Sequence, residues 1–265
     1  DKENFSVYGD FTYDVTDQWS VSLGGRFTKD ETTADVTREL WLGMGSGSFD
    51  PTNTSSIFFV TQTGYEGLNR EDEEFTPRIS VSYKPTDDLN IYATYAQGFK
   101  AGGFDPRARA DLDTLGLSQE GFGPEKVDSY ELGIKGSFFD DRLLLNTAVF
   151  FAEYTDQQIT VQSGADSDND GVNDTFVSSV FNAGSSEYTG LELEGSWFIN
   201  DEFTLMGNLG YIDAEIQEIL SAGTNIADQF VTQNTPELQG QLSLNYMRDF
   251  GSEFGAISIT GSASY

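Results

Sequence analysis

Apolar and polar positions alternate along most of this chain. Trp19, Val21, Leu23, Gly25 and Phe27 share one face of an extended segment; Ser20, Ser22, Gly24, Arg26 and Thr28 share the other. The pattern repeats at Phe75, Ile79, Val81 and Tyr83 against Thr76, Arg78, Ser80 and Ser82. It repeats again at Leu89, Ile91, Ala93 and Tyr95 against Asn90, Tyr92 and Thr94, and at Leu238, Leu242, Leu244 and Tyr246 against Gln239, Gln241, Ser243 and Asn245. Ile257, Ile259 and Ala263 oppose Ser258, Thr260, Ser262 and Ser264 in the last such segment. A period of two, rather than about 3.6, predicts β-strands with one apolar face. About ten such strands are visible, each near the ~10 residues that a tilted strand needs to cross a bilayer.

The connections alternate in length. Short polar turns fall at Thr16-Asp17-Gln18, Pro85 to Asp88, Asp140-Asp141, Asn200-Asp201-Glu202 and Arg248 to Glu253. Long segments, about Asp30 to Asp72, Phe99 to Glu125, Ile159 to Val180 and Gln217 to Thr232, lie between them and are expected to be loops. Short turns at one rim and long loops at the other are the pattern of an outer-membrane barrel, with the short turns periplasmic and the long loops extracellular. Trp19, Phe139, Trp197 and Phe203 flank the short turns, as an aromatic girdle would. The expected fold is therefore all-β: an antiparallel up-and-down transmembrane β-barrel wall. An antiparallel sheet with one wet face and one face packed on a core is the alternative.

Composition narrows the chemistry. Neither cysteine nor histidine is present, which removes disulfides, thiolate chemistry, Ser-His-Asp triads and His-bound transition metals. The formal net charge is -30, so nucleic acid is an unsuitable partner. Aromatic residues make up 14% of the chain, which argues against acidic disorder. No apolar run approaches the ~20 residues of a membrane-spanning helix, and the first residues lack a signal-peptide pattern.

At Tyr92 the chain reads YATYAQGFKAGGFDP. This resembles the Y-x-S-Y-x-x-G-F-K-x-G-G-F stretch of TonB-dependent outer-membrane receptors. YDVTDQWSVSLGGRFTKDE from Tyr13, FTPRISVSYKPTDDLNIYATY from Phe75, GPEKVDSYELGIKGSFFDDRLLLNTAVFFAEYTDQQI from Gly123 and NAGSSEYTGLELEGSW from Asn182 are similar to that family's strand-turn-strand segments, in the same order. The likeness covers nearly all strands and fades in the long segments. The family's barrel has about 22 strands, an N-terminal plug and a short motif that engages an inner-membrane energy transducer. Neither plug nor motif is found here, and the pattern stops mid-strand at Tyr265. Residues 1–265 are thus expected to be one partial barrel domain, with further segments completing the barrel.

The resemblance implies an outer-membrane location in a Gram-negative bacterium. It also implies gated, TonB-driven uptake of a large scarce solute, a ferric siderophore in most cases, with no covalent chemistry. It requires no cofactor. A passive porin and a soluble calcium-dependent β-sandwich adhesin are the rival readings. Solute contacts are expected from Arg26, Arg78, Tyr92, Lys100, Arg107, Arg109, Trp41, Phe58 and Phe59, although lumen cations also pair with lumen acids or the plug. Gly98 to Phe104 has no Walker spacing and is read as a structural exit from a strand. The acid pairs Asp140-Asp141 and Glu192/Glu194 sit in a turn and on the lumen face, and are not read as glycosidase carboxylates. Glu192 and Glu194 are instead expected to take lysines or arginines of neighbouring strands as counterions.

The run DSDNDGVND is the sharpest local motif. Asp166, Asp168 and Asp170 alternate before Gly171, the Val172 carbonyl falls at offset seven, and Asp174 at offset nine. Alternating oxygens around a glycine turn suit Ca²⁺, and the run resembles the calcium-binding repeats of extracellular proteins more than an EF-hand, since offset twelve is Val177. A structural Ca²⁺ in an extracellular loop is expected; a hydrophilic hairpin tip is the alternative. Acids around Asp30, Glu31, Asp35 and Glu71 to Glu74 are expected to bind divalent ions that bridge to lipopolysaccharide at the lipid surface, or to suit a saline habitat.

Overall fold

The computed structural model describes all residues except 44–55, 108–116, 167–169, 222–223, 233 and 252–254. It is one antiparallel sheet. The strands are β1 (Lys2–Asp14), β2 (Trp19–Gly43), β3 (Ser56–Thr86), β4 (Leu89–Lys100), β5 (Glu125–Phe138), β6 (Leu143–Ala165), β7 (Thr175–Phe198), β8 (Phe203–Ser221), β9 (Thr224–Asn225), β10 (Leu238–Asp249) and β11 (Ala256–Ser264). Their order in space follows the chain from β1 to β8, then β10 and β11, with the two-residue β9 paired beside β8. Among the described residues β1 and β11 are the two edges, so the sheet is an open wall rather than a closed ring.

The short turns close tightly. Asp14 pairs with Ser20, Thr86 with Leu89, Phe138 with Leu143, and Phe198 with Thr204. Thr16 caps the first turn by accepting the Trp19 amide at 3.0 Å. Between β5 and β6, Phe139, Asp140 and Asp141 all have positive φ (58°, 56° and 64°), a left-handed run in which Asp tolerates the backbone better than a branched residue does. Trp19 stacks on Tyr83 at 4.4 Å beside these turns, and Phe203 meets Tyr246 at 4.9 Å. The expected girdle of Trp19, Phe139, Trp197 and Phe203 thus gathers along one rim, here called the lower rim.

The opposite, upper rim differs from the sequence expectation. Two long segments expected as loops are mostly strand. Thr32 to Gly43 pairs with Arg70 to Ser56, and Gln157 to Ala165 pairs with Gly184 to Thr175. Both faces of a hairpin that stands clear of the bilayer are wet, so its sequence has no reason to alternate and the period-two signal fades. The backbone still satisfies its N–H and C=O groups by pairing.

No central core exists in a single layer. Val36, Tyr65, Ala183, Ile219 and Ala227 are the buried apolar residues among those described, and all belong to the upper half. Below them the sheet has a dry side and a wet side. Ile79, Val81, Ala93, Tyr95, Leu132, Val149 and Phe151 cover the dry side. On the wet side Ser80 bonds Thr94 at 2.9 Å, and Tyr92, Glu131, Asn146, Glu192 and Asn208 line a shallow hollow of about 400 Å³.

This division predicts opposite sensitivities. Leu132→Arg, in the middle of the dry side, should cost about 2–4 kcal/mol of folding stability in lipid. Ser80→Ala, on the wet side, should cost under about 1.5 kcal/mol. Denaturant titration of the intact protein in bilayers checks both; equal losses would contradict the assignment of the faces.

Candidate functional site

The wet side carries three of the nine solute-contact candidates, Arg26, Arg78 and Tyr92, together with Glu192 and Glu194. Tyr92 lies over Gly133, where a Cβ would collide with the phenol ring, and donates its hydroxyl to Glu131 Oε1 at 2.6 Å. The Lys135 ammonium stands 5.4 Å from the centre of the same ring. Glu192, Glu194, Asn146 and Gln239 complete this patch. Among the described residues no lysine or arginine forms an ion pair with Glu192 or Glu194, so the expected counterions are not found; Lys135, the one cation lining this patch, stands over Tyr92. Arg26 and Arg78 stand further along the wall. Arg26 donates to Ser6 Oγ at 2.7 Å and Thr28 Oγ1 at 3.1 Å, while Arg78 pairs in register with Gly24 and Ala96.

The second cluster lies at the upper rim, where β4 ends. Asp72, only 6% exposed, accepts the Gly102 amide at 2.9 Å and both arms of Arg70, Nε at 3.0 Å and Nη2 at 2.7 Å. Gly102 is hemmed in by the Phe122 carbonyl and the Arg70 guanidinium, so no side chain fits there. Gly103 and Phe122 exchange amide hydrogen bonds, both at 2.9 Å. Gln158 donates its amide to the Ala101 and Gly123 carbonyls at 2.9 and 3.0 Å. Asn182 donates to the Gly123 and Asp156 carbonyls and accepts the Gly123 amide. Asp105 receives the Val180 amide at 3.0 Å and a two-point contact from Arg107, Nε and Nη2 both at 3.0 Å.

These bonds clamp the GFKAGGFDP segment onto β6 and β7. Hydrogen bonding to Asp105 pushes the Arg107 guanidinium further above its ordinary value, so it stays cationic throughout. Its Nη2 also reaches Thr160 Oγ1 at 3.2 Å, and its carbonyl accepts Arg38 Nη1 at 2.7 Å. Lys100 points outward, with Nζ 3.8 Å from Glu125 Oε2. Arg107 and Lys100 therefore stand at the rim in contacts within the chain, while Tyr92, Arg26 and Arg78 stand on the wall below. Trp41 and Phe58 face each other in the register of β2 and β3, with Phe59 beside them; their side chains lie outside the described residues, as does Arg109.

The acidic run closes the β6–β7 hairpin. Asp166 accepts the Asp170 and Gly171 amides at 3.2 and 2.6 Å, Asp170 accepts the Val172 amide at 2.8 Å, and Gly171 has a φ of 92°. The Asp174 amide bonds the Ala165 carbonyl at 3.1 Å. Asp168 lies outside the described residues. Among those described, no group of three or more acids is placed to hold a metal ion. On the outer hairpin, Lys29 bonds Glu71 at 2.6 Å, Asn4 bonds Asp30 at 2.7 Å, and Asp35 caps the Gly67 amide at 2.7 Å.

Sequence reasoning missed the clamp residues Asp72, Asp105, Gln158 and Asn182. FDP and NAGSSEYTG were both in view, and an acid or amide beside glycine and proline is the available signal for a side chain that bonds loop backbone.

A single antiparallel layer, dry on one side, wet on the other, with tight turns at one rim and tall hairpins at the other, is the wall of an up-and-down outer-membrane-type barrel. The chain belongs to the TonB-dependent receptor-like β-barrel family, whose model matches residues 1–265. That family is one of receptors and transporters, not enzymes. The chain is 27% identical over 195 residues to the pesticin receptor of Yersinia pestis, covering 74% of this chain and 24% of that protein. It is 26% identical over 230 residues to the metal-pseudopaline receptor CntO of Pseudomonas aeruginosa, covering 86% of this chain and 26% of that one. Among solved structures, the ferric yersiniabactin uptake receptor of Yersinia pestis superposes with a TM-score of 0.69 at 23% identity, over 99% of this chain and 34% of that one. The chain thus spans about a quarter of the length of the curated relatives it matches.

The clamp gives a local prediction. Asp105→Asn should keep the loop's backbone partner but weaken the Arg107 contact, and Asp105→Ala should remove both, at about 1–3 kcal/mol of local stability. Hydrogen exchange at Gly102 to Arg107 and at Val180 reads the loss. Unchanged protection in Asp105→Ala would show that the carboxylate does not hold the segment.

Proposed function

We propose that this chain is part of the wall of a Gram-negative outer-membrane transporter that takes up a large, scarce solute, a ferric siderophore or a similar metal chelate. Uptake is gated by a plug and driven by a TonB-type transducer, both of which act through the rest of the receptor. The observation that carries this reading is the contrast between the two sides of one layer. The dry side suits lipid, and the wet side, from the Tyr92 hollow up to the clamped loop, suits a hydrated solute path. The relatives support the class of solute: one is called a metal-pseudopaline receptor, and another, from Acinetobacter baumannii, a probable siderophore receptor.

The test uses the intact receptor. It should fractionate with the outer membrane, show heat-modifiable mobility and bind at least one ferric chelate. Deleting its gene should slow growth only under metal limitation, and removing the transducer should have the same effect. Uptake that survives loss of the transducer would favour the passive porin. Solubility without detergent would favour the adhesin. Binding of no metal chelate would sink the siderophore reading.

A further inference from the structure

The upper wall holds a second hollow that none of the roles above uses. It has a volume of about 380 Å³, within the range of small-molecule sites. Phe230, Val231, Thr232 and Thr235, between β9 and β10, form one side, and β6, β7 and the upper part of β8 form the other. Ser186 lies in its wall. That serine is 1% exposed, and its Oγ has no hydrogen-bond partner among the described residues. A buried hydroxyl left unpaired costs roughly 1–3 kcal/mol, so its presence calls for a reason.

The backbone around Ser186 is irregular on both sides. The β6–β7 register slips just past Tyr154, which pairs with Ser186, and Asp156 takes a φ of 53° within the slip. The β7–β8 register slips between Ser185 and Ser186. Bulges of this kind re-aim side chains. The serine, Gln157 and Tyr188 beside these slips share one cavity with Thr232 of the facing segment, and no hydrogen bond within the described residues takes up the other three side chains.

The charge of the lining is one-sided. Glu125 reaches the hollow, and no lysine or arginine does. The adjoining hollow, which shares Phe230, Val231, Thr232 and Thr235, carries Asp213, Glu215, Asp228 and Glu237 and again no cation. Lys100, 3.8 Å from Glu125 and outside the lining, offsets that one carboxylate, but the four of the adjoining hollow have no ion-pair partner among the described residues, so an anion would enter against a net negative field. Tyr188 and Phe230 supply aromatic surface, and Ile159, Ile216 and Ile219 supply aliphatic surface.

We propose that this hollow is a subsite for a hydroxyl-bearing ring that carries no negative charge, which lays its C–H face on Tyr188 or Phe230 and hydrogen-bonds Ser186, Gln157 and Thr232. The guest's hydroxyls complete the bonds that the fold leaves open, and the acidic surroundings turn anionic rings away. The subsite rests on the reading of the wet side as the solute path, but equilibrium binding tests it without transport.

The probes are methyl glucoside, glucosamine and glucuronate, one ring with three charges, titrated into the intact detergent-solubilised receptor and read by saturation-transfer NMR. Methyl glucoside should bind saturably with a dissociation constant on the order of 1 mM, and glucosamine at least as well. Glucuronate should bind more than about tenfold more weakly. Ser186→Ala should weaken methyl glucoside by roughly fivefold to tenfold while raising thermal stability, because the orphan hydroxyl is gone. Phe230→Ala, at a side chain 46% exposed and so tolerant of truncation, should weaken it as well. No saturable binding to the folded wild type, equal binding by wild type and Ser186→Ala, or a preference for glucuronate would each overturn the proposal. A receptor that takes up a ferric chelate but binds no methyl glucoside would refute the subsite alone.

Discussion

Every feature of this chain depends on one constraint: a backbone amide or carbonyl facing hydrocarbon must find its partner inside the protein. An antiparallel meander meets that demand strand by strand, since each element bonds the ones before and after it. It also leaves the side chains free to serve two media. Residues such as Leu132 and Val149 turn to the dry side, while their neighbours Glu131 and Ala148 turn to the wet one. A slip of one residue would exchange the two sets, so the pairing that satisfies the backbone also fixes what each face shows to its surroundings.

The same constraint explains what could be read in advance. Where one side meets lipid and the other water, the sequence must alternate, and the strands, their sense and the tight turns follow directly. Above the bilayer the demand lapses. Thr32 to Gly43 and Ile159 to Ala165 remain paired, yet their residues carry no two-sided pattern and passed for loops. The aromatic girdle was legible because rings that straddle an interface sit only beside the turns.

The candidate site was legible only in part. Tyr92, Arg26 and Arg78 fall on the wet side because alternation places them there. Alternation does not say which partner each will take, and Arg107 turns back to Asp105 rather than standing open. The clamp and the Ser186 hollow were invisible for a different reason. They join residues far apart in sequence, such as Asp105 with Val180 and Gly123 with Asn182, through side chains that bond backbone. Local pattern cannot foresee such a contact, because the register of intervening strands decides which residues meet. The two slips beside Ser186 show this best, since each shifts the register by a step that no propensity encodes.

The meander has a consequence for how the wall is made. Among the described residues each long strand pairs only with the long strands before and after it, with the two-residue β9 set aside between β8 and β10. Growth can therefore advance hairpin by hairpin, with each newly added edge serving as the template for the next. At the lower rim the turns close over short stretches of chain, which keeps the entropic barrier to those steps low. The wall behaves as a row of linked units, closer to a repeat array than to a globule with a shared interior.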